Sequence, residues 1–390
     1  MKRPRLEALM LEFANSTQST LGIEWEVALV DRASGAMIGA APELFEVLTV
    51  PHRDLIHPDG LTPHLTREFL ANTIEMVTGV NERVGDAVEQ LAGMVEKIRR
   101  HTDPLGVEIF SAGTHPLARW EEQVISDKER YRKVLERTQY WGYQMMIYGV
   151  HVHVGVDSRD KALPTVNHLV NHYGHLLALS ANSPFWQGHD TGYASQRAMI
   201  FQQIPTSGMP YLFQRWEEFE QYTRDLMDTG VIEEDSENRW DVRPVPRYGT
   251  VEMRICDGAS TLQEIGAMAA LTQCLAEEAS RTVEAGGSIP VMRRWNAEEN
   301  KWRAARYGLD AEVILDPSNR EAPLREEIPR MLDRLAPLAD DLGCAEELAE
   351  IERILERGTG AERQRRVAAR HDGDLRAVVR DLTRLTRTGY

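Results

Sequence analysis

STLGIEWEVALV, residues 19–30, reads as a β-strand, and the turn formers from Asp31 to Gly35 end it. Along a strand, side chains i and i+2 project to one face, so Glu24 and Glu26 stand on the same side. Two carboxylates about 7 Å apart on one face repel unless something positive lies between them. A divalent metal meets that need, and hard oxygen ligands suit magnesium. The plainer reading is a solvent-facing strand with ordinary surface glutamates.

Other stretches repeat the pattern. In IYGVHVHVGVD (147–157), Val150, Val152, Val154 and Val156 share one face and His151 and His153 the other. The valine face is the core side by its β-branched content. One imidazole could ligate a metal and the other contact phosphate or substrate, against two hydrogen-bonded or exposed histidines as the alternative. WDVRPV (240–245) and GTVEMRICD (249–257) read as paired strands around a Pro246–Gly249 turn, with Glu252 and Arg254 on one face. As a cross-strand ion pair they would be worth little. As a metal ligand beside an arginine clamp they would bind carboxylate or phosphate bidentately. In LTREFLANTIEMVTG (65–79) a strand is favoured at the TIEMVTG end. Glu68 and Glu75 are seven apart, an odd interval, so they reach one site only across a bulge or turn, and the reading favours Glu75. Together these strands predict an acid-walled trough for more than one magnesium, suited to phosphoryl transfer. No GxxxxGK[ST], GxSxG or GxGxxG occurs, which excludes a P-loop, a nucleophile elbow and a dinucleotide fingerprint.

Length and composition agree with a large globular enzyme. A chain of 390 residues with 42% hydrophobic content can bury a sizeable core as one unit. A net charge of −16 disfavours nucleic acid as a partner. No apolar run is long enough to span a membrane, and the N-terminal MKRPRLEALMLEFANS reads as an amphipathic helix (Leu6, Leu9, Met10, Phe13) with no secretory stretch. Cys256, Cys274 and Cys344 are far apart with no CxxC, which argues for a reducing, cytoplasmic compartment and against a cysteine zinc site. Helices are predicted over about 42–49, 82–101, 128–141, 161–180, 212–228 and 261–285, and a strand over 107–114. Residues 51–64 look like a loop. Residues 181–211, with Asp190, Tyr193 and Arg197, form a long irregular segment that reads as a lid or substrate-recognition wall, or else as an ordered structural loop. Thr114-His115-Pro116 either lines the pocket or makes a turn. A single domain (1–390) is expected, with a sheet core over about 19–280 and a helical C-terminal segment over about 317–390.

LGIEWEVALVD, LTREFLANTIEMVTGV, SAGTHPLARW, YGVHVHVGVD, ALSANSPFWQGHDTGYASQR and DVRPVPRYGTVEMRICD occur in this order. Together they resemble the carboxylate–amine ligase family of glutamate–cysteine ligase 2 type, within the glutamine synthetase and glutamate–cysteine ligase superfamily. The resemblance is strong over about 19–280 and weaker in the C-terminal helices. It implies an α+β, glutamine-synthetase-like fold, in which an antiparallel sheet flanked by helices forms a funnel-shaped site. It implies ATP with magnesium (or manganese), an acyl phosphate, and amino-acid substrates, classically glutamate and cysteine or another amine. A homodimer is among its implied states. By the family pattern, Glu24, Glu26, Glu68, Glu75, His151 and Glu252 look like metal ligands, and Arg254 like a carboxylate or phosphate contact acting with Glu252 in catalysis. Arg243, Arg247 and His153 look like nucleotide contacts, Arg197 and Tyr193 like substrate contacts. A guanidino-kinase-like phosphotransferase and a non-catalytic glutamate or nucleotide sensor on the same scaffold are the competing readings.

Overall fold

The computed structural model describes residues 11–56 and 62–389. Its strands are β1 (Leu21–Asp31), β2 (His64–Arg67), β3 (Thr73–Val77), β4 (Val107–Phe110), β5 (Gly149–Gly155), β6 (Phe185–Trp186), β7 (His189–Asp190), β8 (Val242–Val245), β9 (Thr250–Asp257), β10 (Glu312–Ile314) and β11 (Glu321–Pro323). The helices are α1 (Ala41–Leu48), α2 (Arg53–Ile56), α3 (Val84–Thr102), α4 (Glu129–Thr138), α5 (Tyr140–Tyr143), α6 (Arg159–Asn171), α7 (Tyr173–Ser180), α8 (Gln196–Phe201), α9 (Trp216–Asp228), α10 (Leu262–Glu284), α11 (Arg294–Tyr307), α12 (Leu324–Leu342), α13 (Ala345–Arg357), α14 (Gly360–Arg370) and α15 (Leu375–Thr388).

One antiparallel sheet runs in the order β2-β3-β1-β5-β9-β8, with β4 paired to the far end of β1. The strand β1 holds it together, meeting β3, β5 and β4 along successive parts of its length. Its odd-numbered residues Leu21, Ile23, Trp25, Val27 and Leu29 are buried in the main core with Val150, Val152 and Val154 of β5. Burying side chains of this size contributes about 1.5–3 kcal/mol each. α3, α6 and α10 back that side, and α10 is buried on nearly all faces, as a central helix must be.

The even-numbered face of β1 changes character along its length. It is carboxylate at Glu24 and Glu26 and apolar at Ala28 and Val30, where Val378, Val379 and Leu382 of α15 cover it together with Phe110. The C-terminal helices therefore close one end of the face that carries the acidic residues. Arg387 ties α15 down by pairing with Glu108 (2.7 Å), which also accepts from Arg32 on the strand side (2.8 Å).

Several expectations need correction. The helix expected over 161–180 is broken at His172 into α6 and α7, and that over 128–141 is broken at Gln139, whose φ of 47° leaves the helical region. Residues 181–211 are not irregular throughout. They contain the β6–β7 hairpin and α8, and Arg365 of α14 grips Asp190 (2.7 Å) and the Tyr193 carbonyl (2.9 Å). That segment is tethered to α14 through its hairpin. The loop expected over 51–64 contains the short α2. Most of the expected N-terminal helix lies outside the described residues; Phe13 packs edge-on to Trp216 at 5.3 Å. Among the described residues no helix is long and apolar enough to cross a membrane.

Candidate active site

Strand register assembles the acidic face. Glu26 lies directly across from Glu75 of β3, and Glu75 across from Thr66 of β2. Glu24 lies across from His151 of β5, His153 across from Glu252 of β9, and Glu252 across from Arg243 of β8. Facing residues on antiparallel strands are about 4.5–5.5 Å apart. Alternation along each strand thus becomes a continuous polar strip across the sheet. β5 advances two residues from Val150 to Val152 while β9 advances three, from Cys256 back to Met253, so β9 carries one extra residue opposite His151. A bulge of this kind re-aims side chains, here at Arg254.

The odd interval between Glu68 and Glu75 has a simple resolution. Residues 68–72 form the turn between β2 and β3, so two strands replace the single one that would have put them on opposite faces. Thr66 Oγ1 donates to Glu75 (2.9 Å) and stands within 3.4 Å of Glu68.

Hydrogen bonds and charge divide the cluster in two. Glu24 is bridged by His151 Nδ1 (3.0 Å) and His153 Nε2 (3.2 Å), while His153 Nδ1 meets Thr250 Oγ1 (3.0 Å). Burial pushes Glu24 upward, but the two histidines outweigh it and hold it well below the carboxylate range. Glu252, fully buried, accepts from Arg243 Nε (2.6 Å) and from Arg254 Nη1. Burial also opposes its charge, and the two guanidiniums outweigh it, so its carboxyl is depressed.

In the other group the nearby cations do not outweigh burial. Burial, then Glu68, pushes Glu26 up to about 7, although its Oε2 accepts from the Gly149 amide (2.6 Å). Burial and then the negative neighbours Glu24, Glu68 and Glu26 push Glu75 well above the usual value, and Glu68 is raised chiefly by burial. Burial and Arg254 push His151 down to about 4, leaving a neutral imidazole.

Ligand atoms of Glu26, Glu75 and His151 lie within 4.8 Å of one another, as do those of Glu24, His151 and Glu252. Carboxylate oxygens with a neutral imidazole fit magnesium or manganese. The first trio fits better, because neither of its half-buried carboxylates makes a described ion pair with an arginine, whereas Glu252 already holds two.

The remaining expected residues fall at varying distances from this chemistry. Arg243 is engaged by Glu252 and by the carbonyls of Ser236 (2.8 Å) and Asn238 (2.6 Å). Arg197 is 3% exposed and donates to the carbonyls of Arg254 and Ile255 (3.3 Å each). It lies over Gly149, where a Cβ would overlap its guanidinium, and its charge acts on Glu26. It is placed to support Glu26 from beneath. Tyr193 faces the Arg306 guanidinium at 5.8 Å, away from the described carboxylate contacts. Arg247 is exposed and lies over the Tyr248 ring at 5.2 Å, with no described contact to the cluster. His115 is buried, meeting the Gly35 carbonyl (2.9 Å) and accepting from the amides of Leu117 and Ala118, so 114–116 is a structural turn. Sequence reasoning missed Gly149, whose amide donates to Glu26 across the β1–β5 pair. It also missed Lys128 and Arg130, cations at the N-terminus of α4 whose charge acts on Glu68. Their only signal was the basic density of KERYRK.

Known proteins place this geometry. Residues 20–381 match the model of glutamate-cysteine ligase family 2. A Paenarthrobacter aurescens protein provisionally named glutamate–cysteine ligase 2-2 is 53% identical, with 98% of this chain and 99% of that protein covered. One from Leifsonia xyli, provisionally named glutamate–cysteine ligase 2, is 50% identical, covering 97% and 99%. Among solved structures, glutamate–cysteine ligase from Francisella tularensis in complex with AMP superposes with a TM-score of 0.64 at 14% identity, covering 96% of this chain and 90% of that one. A bifunctional glutathione synthetase from Pasteurella multocida superposes at 0.67 and 16% identity, covering 95% and 52%.

Proposed function

The chain belongs to glutamate-cysteine ligase family 2 and is an ATP-dependent carboxylate–amine ligase, and we propose that it joins the side-chain carboxylate of glutamate to an amine, cysteine being the first to test. One observation carries the reading at the level of chemistry. Glu26, Glu68 and Glu75 form a half-buried carboxylate group in which burial and mutual repulsion outweigh the nearby cations, beside the neutral imidazole of His151. Such a site is costly to keep unless a cation completes it.

Magnesium is the proposed ion, held by Glu26, Glu75 and His151 with Glu24 and Glu68 adjoining; its chemistry when bound is neutralisation of phosphate oxygens so that an anionic nucleophile can approach. Glu252 fixes Arg243 and Arg254 at the other end of the strip. Those guanidiniums are the fork donors suited to a phosphate or a carboxylate. His153, bridging Glu24 and Thr250, orients Glu24. In the proposed reaction a substrate carboxylate oxygen attacks the terminal phosphorus of ATP and ADP leaves. The amine then attacks the acyl carbon, and phosphate departs with formation of the amide. Arg197 of the 181–211 segment and the α15 contact at Ala28 and Val30 border the acidic residues, and in the proposed reaction they would help keep water from the acyl phosphate.

Hydroxylamine tests this chemistry without knowledge of the natural amine. With ATP, magnesium and L-glutamate, the protein should produce a glutamyl hydroxamate together with ADP. ADP formation with a stable phosphorylated guanidine, or nucleotide binding with no turnover of any carboxylate, would overturn the proposal.

A further inference from the structure

The segment 124–131 is clipped over the β2–β3 turn that carries Glu68. The Ala71 amide donates to the Val124 carbonyl (2.8 Å) and the Ser126 amide to the Phe69 carbonyl (2.9 Å). Ser126 Oγ donates to the Glu68 carbonyl (2.6 Å), and Lys128 Nζ and the Tyr131 hydroxyl both donate to the Arg67 carbonyl (3.0 Å each). Tyr131 is buried edge-on to Phe69 at 5.4 Å. Six contacts therefore fix the first turn of α4 relative to the acidic group.

Arg130 is held by this frame yet is exposed. Its Nη2 donates to the Tyr131 hydroxyl (2.7 Å), and its guanidinium lies 4.7 Å from the centre of the Tyr131 ring. Glu68 and Glu75 both act on its charge, but it makes no described ion pair with either. The other described arginines around the carboxylates are engaged. Arg243 and Arg254 bind Glu252, and Arg197 binds main-chain carbonyls. Among the described residues Arg130 is engaged by the neutral Tyr131 alone, through its hydroxyl and ring, which leaves most of its donor fork open. A cation held by Glu26, Glu75 and His151 beside Glu68 would weaken the pull of those carboxylates and leave Arg130 at the β2 end of the trough, opposite Arg243 and Arg254.

We propose that Arg130, held by Tyr131, is an anion clamp for the bound ligand at the β2–β3 end of the trough, gripping either a phosphate oxygen of the nucleotide or the carboxylate of the amino-acid substrate. This rests on the ligase reading for the identity of the ligands, and on the geometry alone for the existence of the clamp. Guanidinium forks bind both groups in the same bidentate way.

The test is calorimetric binding of magnesium AMP-PNP and, separately, of L-glutamate with magnesium, to the full-length wild type, Arg130→Ala, Arg130→Gln and Arg130→Lys, with circular dichroism to verify folding. Arg130→Ala and Arg130→Gln should lose about tenfold or more in affinity for one of the two ligands. Arg130→Lys, which keeps the charge but loses the fork, should recover part of it. A loss confined to the nucleotide assigns a phosphate oxygen, and a loss confined to glutamate assigns the carboxylate. Tyr131→Phe should give a smaller loss for the same ligand, since it removes only the hydroxyl that holds the fork. Affinities within twofold of wild type for both ligands would overturn the clamp, whatever the catalytic activity. Wild-type protein that binds nucleotide but never forms an amide would sink the ligase reading alone, and wild type that binds neither ligand would sink both.

Discussion

Replacing a carboxylate by its amide removes charge and keeps shape, so Glu75 and Glu252 give opposite predictions. Glu252 is fully buried and ionised between two guanidiniums. Glu252→Gln leaves Arg243 and Arg254 without their partner and should cost about 3 kcal/mol or more, read as a lower denaturation midpoint. Glu75 sits among like charges that oppose its ionisation. Glu75→Gln should leave the metal-free protein as stable as wild type, or slightly more so, while lowering activity by about a hundredfold or more and weakening magnesium binding. Glu26 adds a pH dependence. Its carboxyl stands at about 7 against an ordinary 4.5, so between those values the folded state holds a proton that the unfolded state has released. Its contribution to metal-free stability is therefore present at low pH and falls as pH rises through about 7. The depressed histidines His115, His151, His172 and His175 act in the opposite direction. The comparison of wild type with Glu26→Gln isolates the effect. Magnesium competes with that proton, so magnesium affinity in wild type should weaken as pH drops below about 7, with proton release on binding, and Glu26→Gln should lose this dependence.

At the scale of elements, Gly149 shows what period-two reading can and cannot reach. Alternation places Glu24 with Glu26 and His151 with His153 from the residue string alone, because side-chain direction along a strand is local. Which strands lie side by side is not local. The pairing of Glu26 with Glu75 and of His153 with Glu252, and the approach of the Gly149 amide to Glu26, depend on registers set by turns and by the β9 bulge. Glu68 was doubtful for the same reason, since the break at 68–72 is a turn that the LTREFLANTIEMVTG string leaves ambiguous. The order of the 181–211 segment is not legible locally, because α14, far along the chain, holds its hairpin. Gly149→Ala is the element-scale test. The added methyl would displace Arg197 from over the strand, so the variant should lose about 1–3 kcal/mol of stability and several-fold in activity. Unchanged melting temperature and turnover would show that Arg197 does not support Glu26.

Across the whole molecule, one sheet serves two cores. Its odd face packs on α3, α6 and α10, and the far end of its even face packs on α15, so the acidic trough is open along only part of its length. The C-terminal segment thus borders one end of the acidic strip, an arrangement that its charged helical sequence does not reveal. Leu382→Ala, in the fully buried contact of α15 with Ala28 and Val30, should destabilise by about 2–5 kcal/mol despite its distance in sequence from Glu24. The central claim is that this trough makes an amide bond at the expense of ATP. The most direct measurement is a mass-spectrometric assay with magnesium ATP, L-glutamate and a panel of amines beginning with cysteine, run on wild type and on Glu75→Gln. The account predicts an amide product formed with one ADP per bond by the wild type and almost none by the variant. Equal product from both proteins, or ADP formation without any new amide across the panel, would contradict it.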